Sequence, residues 1–198
     1  MSNKIITISR QFGSGGRTIG RLAAERLGIP CYDREIITKI SEDSGLAKEY
    51  IEERGEQTPS SSWIANALST RSLGGMIHED QLWASQCKVL FDLADQGPCV
   101  IIGRCADHVL KDRHDLITVY IHAPKEKRAE RIIKEYGESD VSIEKRINDK
   151  DKRRKAYYQL YTDCIWGAAD NYDICLDSSA IGIEKCVDII VDLYNTVK

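Results

Sequence analysis

The chain has 198 residues, of which 42% are hydrophobic and 30% charged, and its formal net charge is −3. This balance is ordinary for a globular protein and argues against wholesale binding of a nucleic-acid polymer, although local basic clusters can still serve a small anionic ligand. The sequence has no apolar run near the roughly 20 residues that a membrane helix needs, and no basic-then-apolar signal segment at its start. We therefore expect a cytoplasmic protein with neither nucleic acid nor membrane as a partner.

The first third of the chain predicts a strand, a glycine loop, a helix and a second strand. Residues 5–9 are apolar and mostly β-branched, which is typical of a strand buried on both faces. Apolar residues at helical spacing follow the glycines, and Gly28 is well placed to end that helix in a left-handed turn. Residues 29–32 predict a short second strand that leads to Asp33. This order is the opening unit of a parallel α/β sheet.

Residues 34–97 differ from the rest of the chain. They contain helical stretches rich in Glu and Lys but no convincing strand, and residues 76–96 predict a long helix. We expect this section to be a helical insertion that caps one end of the sheet, partly as a mobile lobe.

The α/β pattern resumes after the insertion. Three further buried strands are predicted, at residues 98–103, 115–122 and 173–177. The intervening and following helices are predicted at residues 104–112, 124–136, 142–161 and 183–194. The sequence therefore predicts one α/β domain over residues 1–198.

The glycine cluster lies between the first strand and the first helix. Residues 11–18, QFGSGGRT, match the phosphate-binding pattern G-x-x-x-x-G-K-[ST] with two departures, Gln11 for the first glycine and Arg17 for the lysine. Glycines allow successive N–H groups to converge on one phosphate, and the helix that follows adds unpaired N–H groups. The predicted phosphate ligands are Gly13, Ser14, Gly15, Gly16, Arg17 and Thr18. Thr18 stands where a hydroxyl would coordinate Mg²⁺.

Phosphoryl transfer also requires cations from several directions, and parallel strands place them at their carboxyl ends. Arg104 directly follows a buried strand and a glycine, which favours anion binding over a surface ion pair; His122 ends the next strand. Asp33 could bind the acceptor, orient its attacking oxygen or cap the following helix. The basic run at 150–155 is either a solvated helix face or a lid that brings Arg153 and Arg154 over the phosphates.

The seven cysteines include no Cys-x-x-Cys pair, and the four histidines lack metal-ligand spacing. We interpret the cysteines as reduced core residues. A structural zinc site is not expected.

The assembled pattern resembles the cytidylate kinase-like family of P-loop nucleoside monophosphate kinases. The segments that carry the resemblance are ISRQFGSGGR at 8–17, YDRE at 32–35, VIIGR at 100–104, DKRR at 151–154 and YDICLDS at 172–178. The resemblance implies a five-stranded parallel P-loop sheet flanked by helices, with an acceptor-binding insertion at 34–97 and a helical lid at 138–162. It also implies Mg·ATP as the phosphate donor and a pyrimidine monophosphate, CMP or dCMP first, as the acceptor.

The resemblance to this family implies, by position, that Asp33, Lys39 and Arg104 bind the acceptor and that Arg153 is a lid arginine. Arg17, Arg104, Arg153 and Arg154 would then screen charge during in-line attack. The chain departs from the family where Cys105 replaces an aspartate, Arg154 a lid aspartate and Tyr157 a second lid arginine. Two other functions stay open, a nucleotide-binding or sensor protein with little transfer activity and a kinase for another small metabolite. The oligomeric state cannot be predicted from the sequence.

Overall fold

A computed structural model describes residues 4–33, 35–45 and 73–196, with side chains in the last range described from residue 80 onward. Its elements follow in chain order: β1 (Ile5–Arg10), α1 (Gly16–Leu27), β2 (Cys31–Tyr32), α2 (Glu35–Ser44), α3 (Leu73–Asp95), β3 (Cys99–Ile102), α4 (Ala106–Val109), β4 (Leu116–His122), α5 (Lys125–Tyr136), α6 (Ile143–Thr162), a 3₁₀ turn (Ala169–Asn171), β5 (Ile174–Asp177) and α7 (Ile183–Thr196).

The five strands form one parallel sheet in the order β2-β3-β1-β4-β5. Strand β1 lies at the centre, with Ile6 opposite Val100 of β3 and Ile117 of β4. Because all strands run in the same direction, the residues that follow β1, β2, β3 and β4 meet at one edge of the sheet. The predicted fold class, a five-stranded parallel P-loop sheet flanked by helices, is confirmed.

Each face of the sheet is covered by helices. On one face, Ile6 and Ile8 of β1 pack with apolar residues of α1 and α7, such as Ile19 and Ile190. On the other face, Ile5 packs with residues of α2, α3 and α4. Successive strand residues thus enter opposite cores, which explains why the strand sequences are apolar throughout instead of alternating.

The predicted elements match the structure closely, with one notable difference. Gly28 ends α1 in a left-handed conformation with φ of 66°, as expected. The short helix predicted at 104–112 spans only Ala106–Val109, because Gly103, Arg104 and Cys105 all have positive φ and cannot be helical. Arg34 and residues 46–72 of the predicted insertion lie outside the described residues.

Candidate functional site

The glycine loop joins the end of β1 to the first turn of α1. Gly13 and Gly15 have φ of 77° and 81°, in the left-handed region that favours glycine. A Cβ atom at Gly13 would lie 2.6 Å from Cδ1 of Ile132, and one at Gly16 would lie 2.6 Å from Cβ of Arg10. Helix α1 begins at Gly16, so the N–H groups of its first turn have no partner within the helix. The loop is therefore a backbone cradle of the kind that binds phosphate.

Gln11, one of the two departures from the phosphate-binding pattern, anchors this loop through its side chain. Gln11 stands in place of a glycine, and its Oε1 accepts a hydrogen bond from the Ala123 N–H at 3.2 Å, just beyond β4. The Ser14 hydroxyl donates to the Gln11 carbonyl at 2.9 Å, and the Ser178 hydroxyl donates to the Ser14 carbonyl at 2.5 Å. The loop is thus fastened to the ends of β4 and β5.

Two arginines of α5, whose roles the sequence analysis missed, hold the loop from the side. Arg131 Nη1 donates to the Gly13 carbonyl at 2.8 Å, and Arg128 Nη1 donates to the Phe12 carbonyl at 3.1 Å. Arg128 also forms an ion pair with Asp151 of α6 at 2.5 Å, and Asp151 Oδ1 accepts from the Phe12 N–H at 2.8 Å. The spacing of three residues between the arginines, which places them on one helix face, was the available signal.

The arginine at the P-loop lysine position is paired with the acid that follows β2. Arg17 Nε lies 2.5 Å from Asp33 Oδ2, and its Nη2 lies 3.5 Å from Oδ1. The Arg17 side chain is 38% exposed and the Asp33 side chain 18%. The structure therefore brings together two predicted residues, one expected at the donor phosphates and one at the acceptor.

Arg104 is buried at the end of β3, with 6% of its surface exposed. Its Nη1 is shielded from solvent and has no hydrogen-bond partner among the described residues. Leaving a buried donor unpaired costs about 1–3 kcal/mol, and more for a charged group. An anionic or carbonyl ligand would remove that cost, so the orphaned nitrogen fits the predicted acceptor contact.

The predicted lid residues lie on α6, but in different surroundings. Arg154 Nη1 donates to the Arg10 carbonyl at 3.0 Å, and its guanidinium carbon lies 6.0 Å from the centre of the Phe12 ring. Arg154 therefore reaches the glycine loop, whereas Arg153 is exposed. Lys39 lines a separate groove of about 330 Å³ between α2 and α3, together with Asp43 and Asp92.

Two clefts meet at Arg17 and Thr18. The larger, about 860 Å³, extends from these residues along α1 to Asp33, a volume within the range of small-molecule sites. The smaller, about 90 Å³, lies over the glycine loop and also includes Arg154. Thr18 is exposed in this junction. The part of the chain that the structure describes contains no group of three His, Cys, Asp or Glu side chains suited to a metal.

A parallel sheet with a glycine cradle at a helix N terminus and arginines around it defines a P-loop phosphotransferase. The chain belongs to the cytidylate kinase-like family, whose family model matches residues 5–180. A cytidylate kinase of Methanococcus aeolicus is 26% identical over 190 residues, which cover 94% of each chain.

Solved structures show the same fold. A crystal structure from Eubacterium ventriosum has a TM-score of 0.75 at 23% identity and covers 98% of this chain and 99% of that one. Shikimate kinase from Acinetobacter baumannii has a TM-score of 0.55 at 18% identity and covers 98% of this chain and 96% of that one.

Among the described residues, no helix has the length and apolar character needed to cross a bilayer.

Proposed function

We propose that the protein is an ATP-dependent nucleoside monophosphate kinase. The acceptor that we expect before any other is CMP or dCMP. The observation that carries the proposal is the backbone cradle from Gly13 to Thr18 at the N terminus of α1. Support for a nucleotide acceptor comes from the family and from the cytidylate kinase of Methanococcus aeolicus, which the chain matches over nearly its whole length.

The donor side of the site would be built on the cradle. The N–H groups of the first turn of α1 and the Arg17 guanidinium would bind the ATP phosphates, and the Thr18 hydroxyl would bind Mg²⁺. When bound, Mg·ATP supplies the phosphoryl group, and the cation neutralises charge on the phosphate oxygens. Arg153 and Arg154, carried by α6, would add positive charge at the loop, and Arg154 already donates to the Arg10 carbonyl beside it.

Arg17 would exchange Asp33 for the ATP phosphates when the nucleotide binds. In this structure its guanidinium is held by Asp33. Phosphate oxygens compete for the same planar donors, and an arginine fork suits a phosphate as well as a carboxylate. Transfer of Arg17 to the phosphates would release the Asp33 carboxylate, which could then accept hydrogen bonds from the acceptor.

The acceptor side would be formed by Asp33, Arg104 and, as the family resemblance suggests, Lys39. Arg104 supports this proposal best, because its buried Nη1 has no partner within the described residues. Lys39 would have to reach the acceptor phosphate from the neighbouring groove between α2 and α3.

The proposal is tested by a coupled assay of ADP release with ATP, Mg²⁺ and a panel of nucleoside monophosphates and small metabolites. We expect turnover with CMP or dCMP, lost in a Gly13→Ala variant and retained in a Gly28→Ala variant. Both glycines have positive φ, but only Gly13 lies in the cradle. No turnover above background with any acceptor would refute kinase activity.

The Arg17–Asp33 ion pair favours a second candidate, a nucleotide sensor with little transfer activity. If Arg17 stays with Asp33 when ATP binds, charge on the transferring phosphate is poorly screened. Calorimetry that detects ATP binding, together with an Arg17→Lys variant that has no activity on any acceptor, would favour the sensor. Turnover of a non-nucleotide acceptor instead of CMP would indicate a kinase for another metabolite.

A further inference from the structure

The backbone around Arg104 is in a conformation that needs external support. Gly103, Arg104 and Cys105 have φ of 78°, 61° and 52° in succession. Left-handed conformations of non-glycine residues cost of the order of 1 kcal/mol or more each, and they persist where the surrounding structure holds them. Something must therefore stabilise this turn, which sets the direction in which the Arg104 side chain leaves the sheet.

The support is a chain of two buried hydrogen bonds. Gln86 Nε2 on α3 donates to the Arg104 carbonyl at 3.0 Å, and the Tyr157 hydroxyl on α6 donates to Gln86 Oε1 at 3.1 Å. Gln86 is 0% exposed and Tyr157 6%. Since both ends of the Gln86 amide are engaged, the amide cannot flip without breaking both bonds.

We infer that Gln86 and Tyr157 are positioning residues of the acceptor site, which hold the Arg104 guanidinium in its orientation toward the acceptor. The inference rests on the proposed function. The strained turn, the fully buried glutamine and the tyrosine on α6 would then share one role, which is to orient Arg104.

The chemistry of Tyr157 suits a permanent donor. Burial keeps the pKa of its hydroxyl well above the ordinary value, so the hydroxyl stays protonated and keeps donating across the working pH range. Tyr157 also packs beside Cys105 in an aromatic cluster with Trp83 and Tyr161. The ring is thereby fixed, and the direction of its hydroxyl follows from the placement of α6.

The arrangement joins three parts of the fold at one carbonyl group. Gln86 comes from α3, Tyr157 from α6 and Arg104 from the end of β3. Tyr157 occupies a position at which the resembling family has a lid arginine. Here a neutral residue at that position acts on the acceptor through Arg104 instead of through its own charge.

The test compares Tyr157→Phe with Tyr158→Phe. Both variants remove one buried hydroxyl from adjacent positions of α6, but the Tyr158 hydroxyl donates to Asp107 at 2.7 Å instead of to Gln86. For Tyr157→Phe we expect about a tenfold rise in KM for CMP, with KM for ATP within about twofold, since about one hydrogen bond's worth of positioning is lost. Tyr158→Phe should lower the melting temperature at least as much and leave KM for CMP unchanged.

Crystal structures of the same variants provide a readout that does not require turnover. In Tyr157→Phe we expect the Arg104 turn to relax or the Arg104 guanidinium to lose its single ordered position. Gln86→Met should have the same effect on Arg104. An unchanged Arg104 with an unchanged KM for CMP, or an equal rise of KM in Tyr158→Phe, would overturn the inference. If the wild-type protein phosphorylates no monophosphate, the proposed function fails, and the crystal structures alone decide whether Gln86 and Tyr157 position Arg104.

Discussion

The ion pair between Arg17 and Asp33 offers the sharpest test of how the donor and acceptor sites are related. Asp33→Asn removes the negative charge and keeps the side-chain shape and one oxygen acceptor. Arg17 would then be released toward the phosphate loop. We expect tighter binding of Mg·ATP and, because Asp33 is proposed to bind the acceptor, a higher KM for CMP.

The size of the effect follows from the geometry. The pair is close, with Nε and Oδ2 at 2.5 Å, but Arg17 is 38% exposed. Solvent screening limits such pairs to about 1 kcal/mol at most, in spite of the larger Coulomb energy at this distance. Removing the competition should therefore lower the Kd for Mg·ATP by about two- to fivefold. Loss of a charged hydrogen bond to the acceptor should raise KM for CMP by about tenfold.

Calorimetry with Mg·ATP and steady-state kinetics with CMP measure the two effects separately. Asp188→Asn is the matched control, because it removes the same charge from an exposed ion pair. Asp188 pairs with Arg26, which lies at the opposite end of α1 from Arg17. Raising the salt concentration should reduce the difference between wild type and Asp33→Asn. Unchanged or weaker ATP binding in Asp33→Asn, with Asp188→Asn like wild type, would refute the exchange of Arg17 between carboxylate and phosphate.

Three further predictions concern stability. Gly13→Ala should cost about 3 kcal/mol, since it adds a steric clash to the left-handed strain, whereas Gly28→Ala should cost about 1 kcal/mol because nothing lies within 4 Å of its Cβ. Asp151→Asn should cost about 3 kcal/mol, because the Arg128 side chain is only 4% exposed and would keep a buried, unbalanced charge. Asp107→Asn should stabilise the protein more at pH 8 than at pH 5, since burial raises the pKa of the Asp107 carboxyl.

The sign of the last prediction follows from proton linkage. A raised pKa means that the folded state binds more protons than the unfolded state, so the free energy of unfolding falls as pH rises through that pKa. Asparagine does not titrate and can still accept the Tyr158 hydrogen bond. Urea unfolding at both pH values measures this difference, and a difference independent of pH would contradict it.

Urea unfolding also tests the other two predictions, on the glycine variants and on Asp151→Asn. Glu130→Gln is the control for Asp151→Asn, because Glu130 pairs with Lys127 on the exposed face of α5 and should contribute under about 0.5 kcal/mol. Equal losses in the exposed and buried pairs would contradict the reasoning on burial. Equal losses at Gly13 and Gly28 would show that strain alone decides the effect.

The architecture could be predicted because its signals are local. The apolar residues at 5–9, the glycines at 13–16 and the stop at Gly28 each act within a few residues of chain, through burial, backbone freedom and hydrogen bonding. The placement of Arg104 after a buried strand and glycine likewise followed from strand direction.

The contacts that organise the site depend on residues far apart in the chain. Arg128 lies 116 residues from the Phe12 carbonyl that it binds, and Tyr157 lies 71 residues from Gln86. No local pattern distinguishes these side chains from others on charged or apolar helices. The sequence by itself determined a parallel sheet with a phosphate cradle. Only the tertiary structure decided that Arg17 pairs with Asp33 and that Gln86 supports Arg104, because such pairings depend on how helices pack across the sheet.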